Sequence, residues 1–327
     1  MQPTLQSIVS RFKNKKIVVW GDLILDEYVY TSAGRVSREA PVLVTEFEAN
    51  EYLLGGAGNV VMNLLTLGAS PIPVGFVGKD AAGETLRRLL AKNRIDTEHL
   101  VPIDNFRTPL KSRILSGGDH TKKQQILRID TLPPDPVGKE AQRRMTKKLR
   151  AVMRDCDLLI LSDYLGKTVL PAVFKSLKKE FPELISALDS RRNLLDFPGV
   201  TLATPNEPEF KSIFPQKKIV SDDDFIRAGS ELLEKLAADG IVLKRGHKGM
   251  LVFPRAQKTR LLDIYGTAQI VDVTGAGDTV LAVLGLGLAT GATLVDAARL
   301  ANIAGGIVVM HEGAYPVKFQ ELLDALS

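Results

Sequence analysis

The sequence predicts an α/β protein with a mostly parallel central sheet flanked by helices and a small β-rich lid. Three observations predict it. Short, fully apolar runs end in polar or glycine-containing turns and pass into helix-like segments, the pattern of a parallel sheet covered on both faces. Two stretches, at about residues 23–54 and 107–130, break that alternation with β-favouring segments of their own. The C-terminal third reads as helical and alanine-rich.

In chain order, Ile17-Val18-Val19-Trp20 is the first apolar run and ends at Gly21-Asp22. The first exceptional stretch holds Tyr28-Val29-Tyr30 and Val42-Leu43-Val44-Thr45. In the second, residues 109–115 and 124–129 flank the turn-prone Ser116-Gly117-Gly118-Asp119, which reads as a hairpin with a long loop. Together they would form a lid over the main sheet, with apolar faces available to a second copy of the chain. The strand pattern resumes at residues 158–161, ending at Ser162-Asp163-Tyr164, and at residues 184–188, ending at Asp189. It continues at residues 200–203, ending at Thr204-Pro205-Asn206, and at Ile241-Val242-Leu243, ending at Lys244-Arg245-Gly246. Ligands of such sheets gather at the carboxyl ends of strands, where these polar residues fall. Residues 278–288 and 293–310 read as helices around Gly291, and Gly305-Gly306 weakens the second while permitting close packing. No linker or repeat divides residues 1–327, so one domain carrying a lid is expected.

Composition narrows the function. Hydrophobic residues at 45% and charged residues at 25% suit a globular protein with a substantial core. The net charge of +5 comes from dispersed residues and aromatic content is only 6%, which argues against a nucleic-acid partner. A basic cleft for phosphorylated substrates or an ordinary solvated surface accounts for the charge equally well. The single cysteine, Cys156, excludes an intramolecular disulfide, and its place before the apolar 158–161 run marks a buried thiol rather than a nucleophile. Residues 1–16 lack the apolar core of a secretory signal, and no run approaches the roughly 20 apolar residues of a membrane span. A cytoplasmic protein without a membrane partner is expected.

The most informative segment is Asp272-Val273-Thr274-Gly275-Ala276-Gly277-Asp278, followed at once by an apolar helical stretch. Backbone N–H groups of Gly275, Ala276 and Gly277 could hold a γ-phosphoryl group at a helix N-terminus, where negative charge is favoured. Asp278 would then take the proton of the attacking hydroxyl. Alternatively, Asp278 is a helix cap and the glycines a tight turn; residue chemistry leaves both open. The loop is not a Walker A motif, because no Gly-Lys-Ser/Thr follows, and it comes too late for a dinucleotide fingerprint. Upstream, Gly55-Gly56-Ala57-Gly58-Asn59 precedes a helix-like run. Small residues would let sugar hydroxyls approach the backbone, and Asn59 can donate and accept hydrogen bonds. A glycine turn before a packed helix is the other reading.

These two segments, in this order, resemble the two signatures of the ribokinase-like (PfkB) carbohydrate kinases. The resemblance implies the ribokinase-like fold, ATP and Mg²⁺ as cofactors, and roles position by position. Asp22 after the first strand would hold sugar hydroxyls, with Gly55, Gly56 and Asn59 beside it. Asn206-Glu207-Pro208-Glu209 matches the family's Asn-x-x-Glu motif, in which Asn206 serves the nucleotide side and Glu209 organises Mg²⁺ through water, as suits an ion that retains its waters. Lys244, Gly246 and Gly249 lie in the segment resembling the nucleotide loop, and Asn302 where the adenine would sit. His247 and Lys248 stay open between nucleotide contact and solvated loop.

Within the family, residues 21–30 and 35–42, together with Leu161-Ser162-Asp163-Tyr164 and residues 124–130, are similar to the kinases of the bacterial ADP-heptose pathway of lipopolysaccharide assembly. Those enzymes phosphorylate D-glycero-β-D-manno-heptose 7-phosphate at O1, giving the 1,7-bisphosphate. A sugar phosphate needs cations, for which Lys111, Arg113 and Arg128 are candidates, arginine offering bidentate geometry. The strand period puts Lys111 and Arg113 on one face; ordinary exposed strand charges are the other reading. Three departures bear on the substrate. Residues 117–123 make a longer hairpin tip, Asp189-Ser190-Arg191 replaces Asp-Pro-Lys, and Gly313-Ala314-Tyr315-Pro316 replaces the tail associated with a monovalent cation. Other acceptors, such as fructose 6-phosphate or a ribose-like sugar, and a non-catalytic nucleotide- or sugar-binding regulator are the alternatives. Retention of Asp278, Gly275, Gly277 and Glu209 argues against the last. Bifunctional relatives add a nucleotidylyltransferase domain; with the chain ending at Ser327, only the kinase step is expected, on sugar phosphate and ATP, by a homodimer joined through the lid.

Overall fold

A computed structural model describes residues 3–118, 122–133, 137–164, 167–192, 194–266 and 270–327. The expected hairpin tip includes residues 119–121, which lie outside those described. After helix α1 (Leu5–Ser10) and strand β1 (Lys16–Gly21) come the long strands β2 (Leu23–Val36) and β3 (Leu43–Gly56). Then follow α2 (Ala57–Thr66), β4 (Ser70–Gly78), α3 (Ala81–Lys92), β5 (Leu100–Ile103), β6 (Leu110–Gly117) and β7 (Gln124–Thr131). The middle of the chain holds α4 (Lys139–Met153), β8 (Leu158–Asp163), α5 (Pro171–Glu180), β9 (Ser186–Ser190), β10 (Leu202–Ala203), α6 (Glu207–Ile213) and α7 (Asp222–Leu236). Strands β11 (Gly240–Lys244), β12 (Met250–Pro254) and β13 (Arg260–Leu262) precede α8 (Ala276–Ala289), α9 (Leu294–Val308) and α10 (Phe319–Asp324).

The main sheet has nine strands in the order β13-β12-β11-β10-β9-β8-β1-β4-β5, parallel except at the β11-β12-β13 edge. Alternation along β1 divides the core: Ile17 and Val19 pack with α2, α8 and α9, whereas Val18 and Trp20 pack with α4, α5 and α7. Helix α4 shows how pattern becomes packing, since Ala141, Met145, Leu149 and Met153 recur every fourth residue and are the ones it buries. Helix ends are capped from the sequence: Asp80 accepts from Gly83 N at 2.8 Å and Ser221 from Asp224 N at 3.2 Å, while Pro171 begins α5.

The two exceptional stretches form a separate four-stranded sheet, order β3-β2-β6-β7, in which β2 is antiparallel to β3 and parallel to β6. Strands β6 and β7 make the expected hairpin. Two strand limits shift from those read in the sequence. The run at 184–188 becomes β9 at Ser186–Ser190, because Asp189 and Ser190 continue the ladder opposite Ser162 and Asp163. The run at 200–203 shortens to Leu202–Ala203, because Thr201 instead joins Ser186 through side-chain hydrogen bonds. Cys156 is half-buried, and burial, aided by the neighbouring Asp157 carboxylate, pushes its thiol up to about 11, leaving little thiolate. Among the described residues, no helix is long and apolar enough to cross a membrane.

Candidate active site

The carboxyl ends of β1, β8, β9 and β11 converge on the N-terminus of α8. Gly275 caps that helix at φ +78°, and a β-carbon there would strike the Asn59 amide, so the position requires glycine. Asp278 is not the cap. It lies in the first turn of α8, is 3% exposed, and its carboxylate accepts hydrogen bonds from neighbouring elements. Asn59 Nδ2 donates to Oδ2 at 2.9 Å, and the Tyr164 hydroxyl donates to Oδ1 at 2.7 Å. Burial above all pushes the Asp278 carboxyl up to about 6; those two hydrogen bonds oppose the rise, the Asp189 carboxylate adds to it, and Lys244 opposes it. A buried carboxylate with its proton affinity raised toward neutrality is suited to proton abstraction.

Asn59 is itself held. Its backbone and side-chain oxygens accept from Asn63 Nδ2 at 2.9 and 3.2 Å, and Asn63 Oδ1 accepts from Thr279 Oγ1 at 2.9 Å and Val317 N at 3.1 Å. This buried polar chain ties α2 to α8, so base and partner move as one unit.

On the nucleotide side, Lys244 Nζ lies 2.9 Å from each oxygen of Asp189, close to Gly277 at the head of α8. The Asn-x-x-Glu motif forms a capping box on α6: Glu209 N donates to Asn206 Oδ1 and Asn206 N to Glu209 Oε2, both at 2.9 Å. Burial raises the Glu209 carboxyl, the Asp189 carboxylate raises it further, and Lys244 opposes both. Two carboxylates in each other's field, one engaged by its cap through a single oxygen, fit a hard cation held partly through water. A cleft opens beside them, lined by Lys244, Gly246, His247 and Gly249 of the loop, by Ala276 and Gly277 of α8, and by Asn302. Met250, Tyr265 and Val280 give it apolar walls suited to a flat base. Asn302 Nδ2 donates to Asp263 O at 2.6 Å within it. Arg245 also lines this cleft, and its guanidinium pairs with Glu207 and Asp222 at 2.9 and 2.7 Å, anchoring the loop. Where a monovalent cation would be sought, Asp272 accepts from Thr274 and Gly313 and joins the two loops directly. That donor set does not single out a cation site.

On the opposite side, Asp22 is buried after β1 and its Oδ2 accepts from Tyr164 N at 2.9 Å. Gly55 does not open the backbone to a ligand: the Asp26 carboxylate fills the place a β-carbon would take. Gly56, at φ +56°, likewise backs onto the Asp22 carbonyl. Register places Lys111 beside Asp26, and Arg113 beside Tyr28 and Arg128, so the three cations share one face of the small sheet. Their surroundings differ. Arg113 is half-buried and pairs with Asp26 at 2.6 Å, and Lys111 reaches over the Tyr164 ring at 5.3 Å, its pKa lowered chiefly by burial. Arg128 is half-exposed and pairs with Asp130 at 2.9 Å, which fits the plain strand-charge reading.

Sequence reasoning did not single out Asp189, Asn63 or Tyr164 as site residues. Asp189 and Tyr164 both stood at strand ends, which is the one local signal they carry; Asn63, inside an apolar helix, carried none.

A family model described as pfkB family carbohydrate kinase matches residues 14–319. The bifunctional protein HldE of Citrifermentans bemidjiense is 36% identical over 322 residues, covering 98% of this chain and 65% of that protein. That of Geobacter sulfurreducens is 35% identical over 315 residues, covering 95% and 62%. The chain thus spans somewhat under two thirds of these relatives' length. Phosphofructokinase-2 from Escherichia coli, solved with substrates and products, superposes with a TM-score of 0.76 at 17% identity, covering 96% of this chain and 98% of that one. Arabidopsis thaliana ribokinase, solved with ribose and ATP, gives 0.71 at 20% identity, covering 96% and 99%. At these identities the superpositions speak to the fold, which is ribokinase-like. With the family signatures at α2 and α8 built into one buried site, the chain belongs to the pfkB family of ATP-dependent carbohydrate kinases.

Proposed function

We propose that this kinase transfers the γ-phosphoryl group of ATP to O1 of D-glycero-β-D-manno-heptose 7-phosphate, giving the 1,7-bisphosphate and ADP. The observation that carries phosphotransfer is Asp278, buried at the head of α8 and oriented through both of its oxygens. Asp278 takes the O1 proton as that oxygen bonds to the γ-phosphorus and the bond to the ADP oxygen breaks. The α8 amides and Lys244 face the phosphoryl oxygens, and Asp22 and Asn59 orient the sugar. Mg²⁺ bound near Glu209 would neutralise phosphate charge. Similarity to HldE proteins along almost the whole chain, and the half-buried cations Lys111 and Arg113 on the small sheet acting as a lid, support the heptose 7-phosphate acceptor. The test is ADP release across heptose 7-phosphate, unphosphorylated heptose, fructose 6-phosphate and ribose. Preference for heptose 7-phosphate supports the proposal; preference for another sugar rejects the acceptor, and no turnover with any rejects the kinase reading of the site.

Glu209→Gln keeps an oxygen to accept from Asn206 N but loses the charge. If Glu209 orders Mg²⁺ through water, the Mg²⁺ concentration for half-maximal rate should rise about 10–100-fold. An unchanged magnesium titration would leave Glu209 with its capping role alone. The lid also exposes Val36, Phe47, Leu127 and Ile129, at 66%, 67%, 54% and 53%, so a second copy is proposed to cover it. Sedimentation should show a dimer, and the double variant Phe47→Glu, Leu127→Glu a monomer; a monomeric unmodified protein at micromolar concentration would refute this.

A further inference from the structure

We propose that Tyr164 is the positioning residue for the base, its hydroxyl fixing both the direction of the Asp278 carboxylate and the pH at which that carboxylate works. This rests on the reading of Asp278 as the base. Tyr164 directly follows β8, and three of its parts touch four residues of the site. Its hydroxyl donates to Asp278 Oδ1 at 2.7 Å, and its backbone N–H donates to Asp22 Oδ2 at 2.9 Å. Its ring receives Lys111 Nζ at 5.3 Å and the Arg191 guanidinium at 4.3 Å. One residue therefore joins the base, the sugar-side carboxylate, a cation of the small sheet and a cation at the end of β9.

The hydroxyl is a permanent donor. Burial, and then the Asp278 and Asp189 carboxylates, raise the phenol well above its ordinary range, so it stays protonated throughout the neutral region. A donor into a carboxylate favours the ionised form. Tyr164 thus works against the burial that pushes Asp278 upward. The other groups acting on Asp278 are Asn59 from α2, Asp189 from β9 and Lys244 from β11, and among the described residues Tyr164 is the one that donates to Oδ1. With one donor on each oxygen, the plane of the carboxylate is set before substrate arrives, which is the kind of preorganisation that catalysis rewards.

Tyr164→Phe removes the oxygen and keeps the ring on which Lys111 and Arg191 rest. The experiment is the pH profile of kcat with saturating ATP and heptose 7-phosphate, or fructose 6-phosphate if that is the sugar turned over. The unmodified enzyme should lose activity below a pH of about 6, where Asp278 takes up its proton. In Tyr164→Phe this acid limb should move up by about one pH unit, with kcat at pH 7 falling about tenfold and the KM for ATP within about twofold. An acid limb and kcat that both stay put would make Tyr164 a packing residue and overturn the proposal. Should the Phe variant not fold, 3-fluorotyrosine placed at position 164 is a more acidic donor and should move the limb downward; an unmoved limb again overturns the proposal. Asp278→Asn measured in parallel separates the two claims. Near-normal turnover of that variant removes the base itself, whereas an inactive Asp278→Asn beside an unshifted Tyr164 variant removes only the role of Tyr164.

Discussion

Asp278→Asn is expected to lower kcat by about 10²–10⁴-fold while ATP affinity stays within about twofold. The substitution keeps the size and direction of the side chain but removes the carboxylate placed to take a proton at the head of α8. ATP affinity should survive because the cleft formed by Lys244, Gly246, Gly249 and Asn302 does not depend on the carboxylate. Some loss of stability is expected alongside. Asn59 and Tyr164 both donate into Asp278, one to each oxygen, and an amide offers an acceptor to only one of them. Leaving a buried donor without its acceptor costs about 1–3 kcal/mol, which thermal unfolding would register. Steady-state kinetics and calorimetric ATP binding check the claim; turnover within a few fold of the unmodified enzyme would contradict it.

Lys111→Ala is expected to lower kcat/KM for the sugar phosphate about tenfold or more, and to leave the unphosphorylated sugar almost unaffected. Lys111 lies on the cationic face of the small sheet, beside Asp26 in the strand register and with its Nζ 5.3 Å from the centre of the Tyr164 ring. A phosphate arriving there gains a charge-assisted hydrogen bond that a neutral sugar cannot make. Arg113→Ala is a poorer probe. Arg113 and Asp26 form a mostly buried pair, with side chains 12% and 6% exposed, and removing one partner strands the other charge. Breaking such a pair costs about 3–5 kcal/mol of stability, so lost activity would mix recognition with unfolding. The ratio of kcat/KM for phosphorylated and unphosphorylated acceptor, compared between Lys111→Ala and the unmodified protein, isolates the phosphate contact. Equal losses for both acceptors would contradict the assignment.

The parallel strands were legible where apolar runs were long and uninterrupted, as at residues 17–20, 158–161 and 241–243. Strand β4 has no place among the strands expected from the sequence, because Pro71 and Pro73 discourage a strand inside a sheet. The structure tolerates them because that half of β4 pairs with β1 alone; pairing with β5 begins only at Gly75. The antiparallel edge formed by β12 and β13 is not among the expected strands, because the turn at residues 246–249 that reverses the chain into β12 reads in the sequence as a nucleotide loop. In the site, local chemistry left Asp278 between a base and a cap, and only the contacts from Asn59 and Tyr164 decide its geometry. The reverse occurred at Gly55, whose smallness serves the Asp26 carboxylate. Spacing cannot distinguish a glycine that admits a ligand from one that admits a neighbouring side chain. Asp189 and Lys244 are far apart in sequence, and their pairing follows from the order of strands in the sheet.

The central claim is that a phosphoryl group passes from ATP to the anomeric oxygen of a heptose already phosphorylated at position 7. Phosphorus NMR of the reaction of this protein with ATP, Mg²⁺ and D-glycero-β-D-manno-heptose 7-phosphate tests it most directly. The account predicts one new sugar-phosphate resonance, coupled to the anomeric proton, growing in step with ADP while the 7-phosphate signal persists. ATP consumed without a phosphate at O1, or no reaction under conditions in which fructose 6-phosphate is phosphorylated, would contradict it.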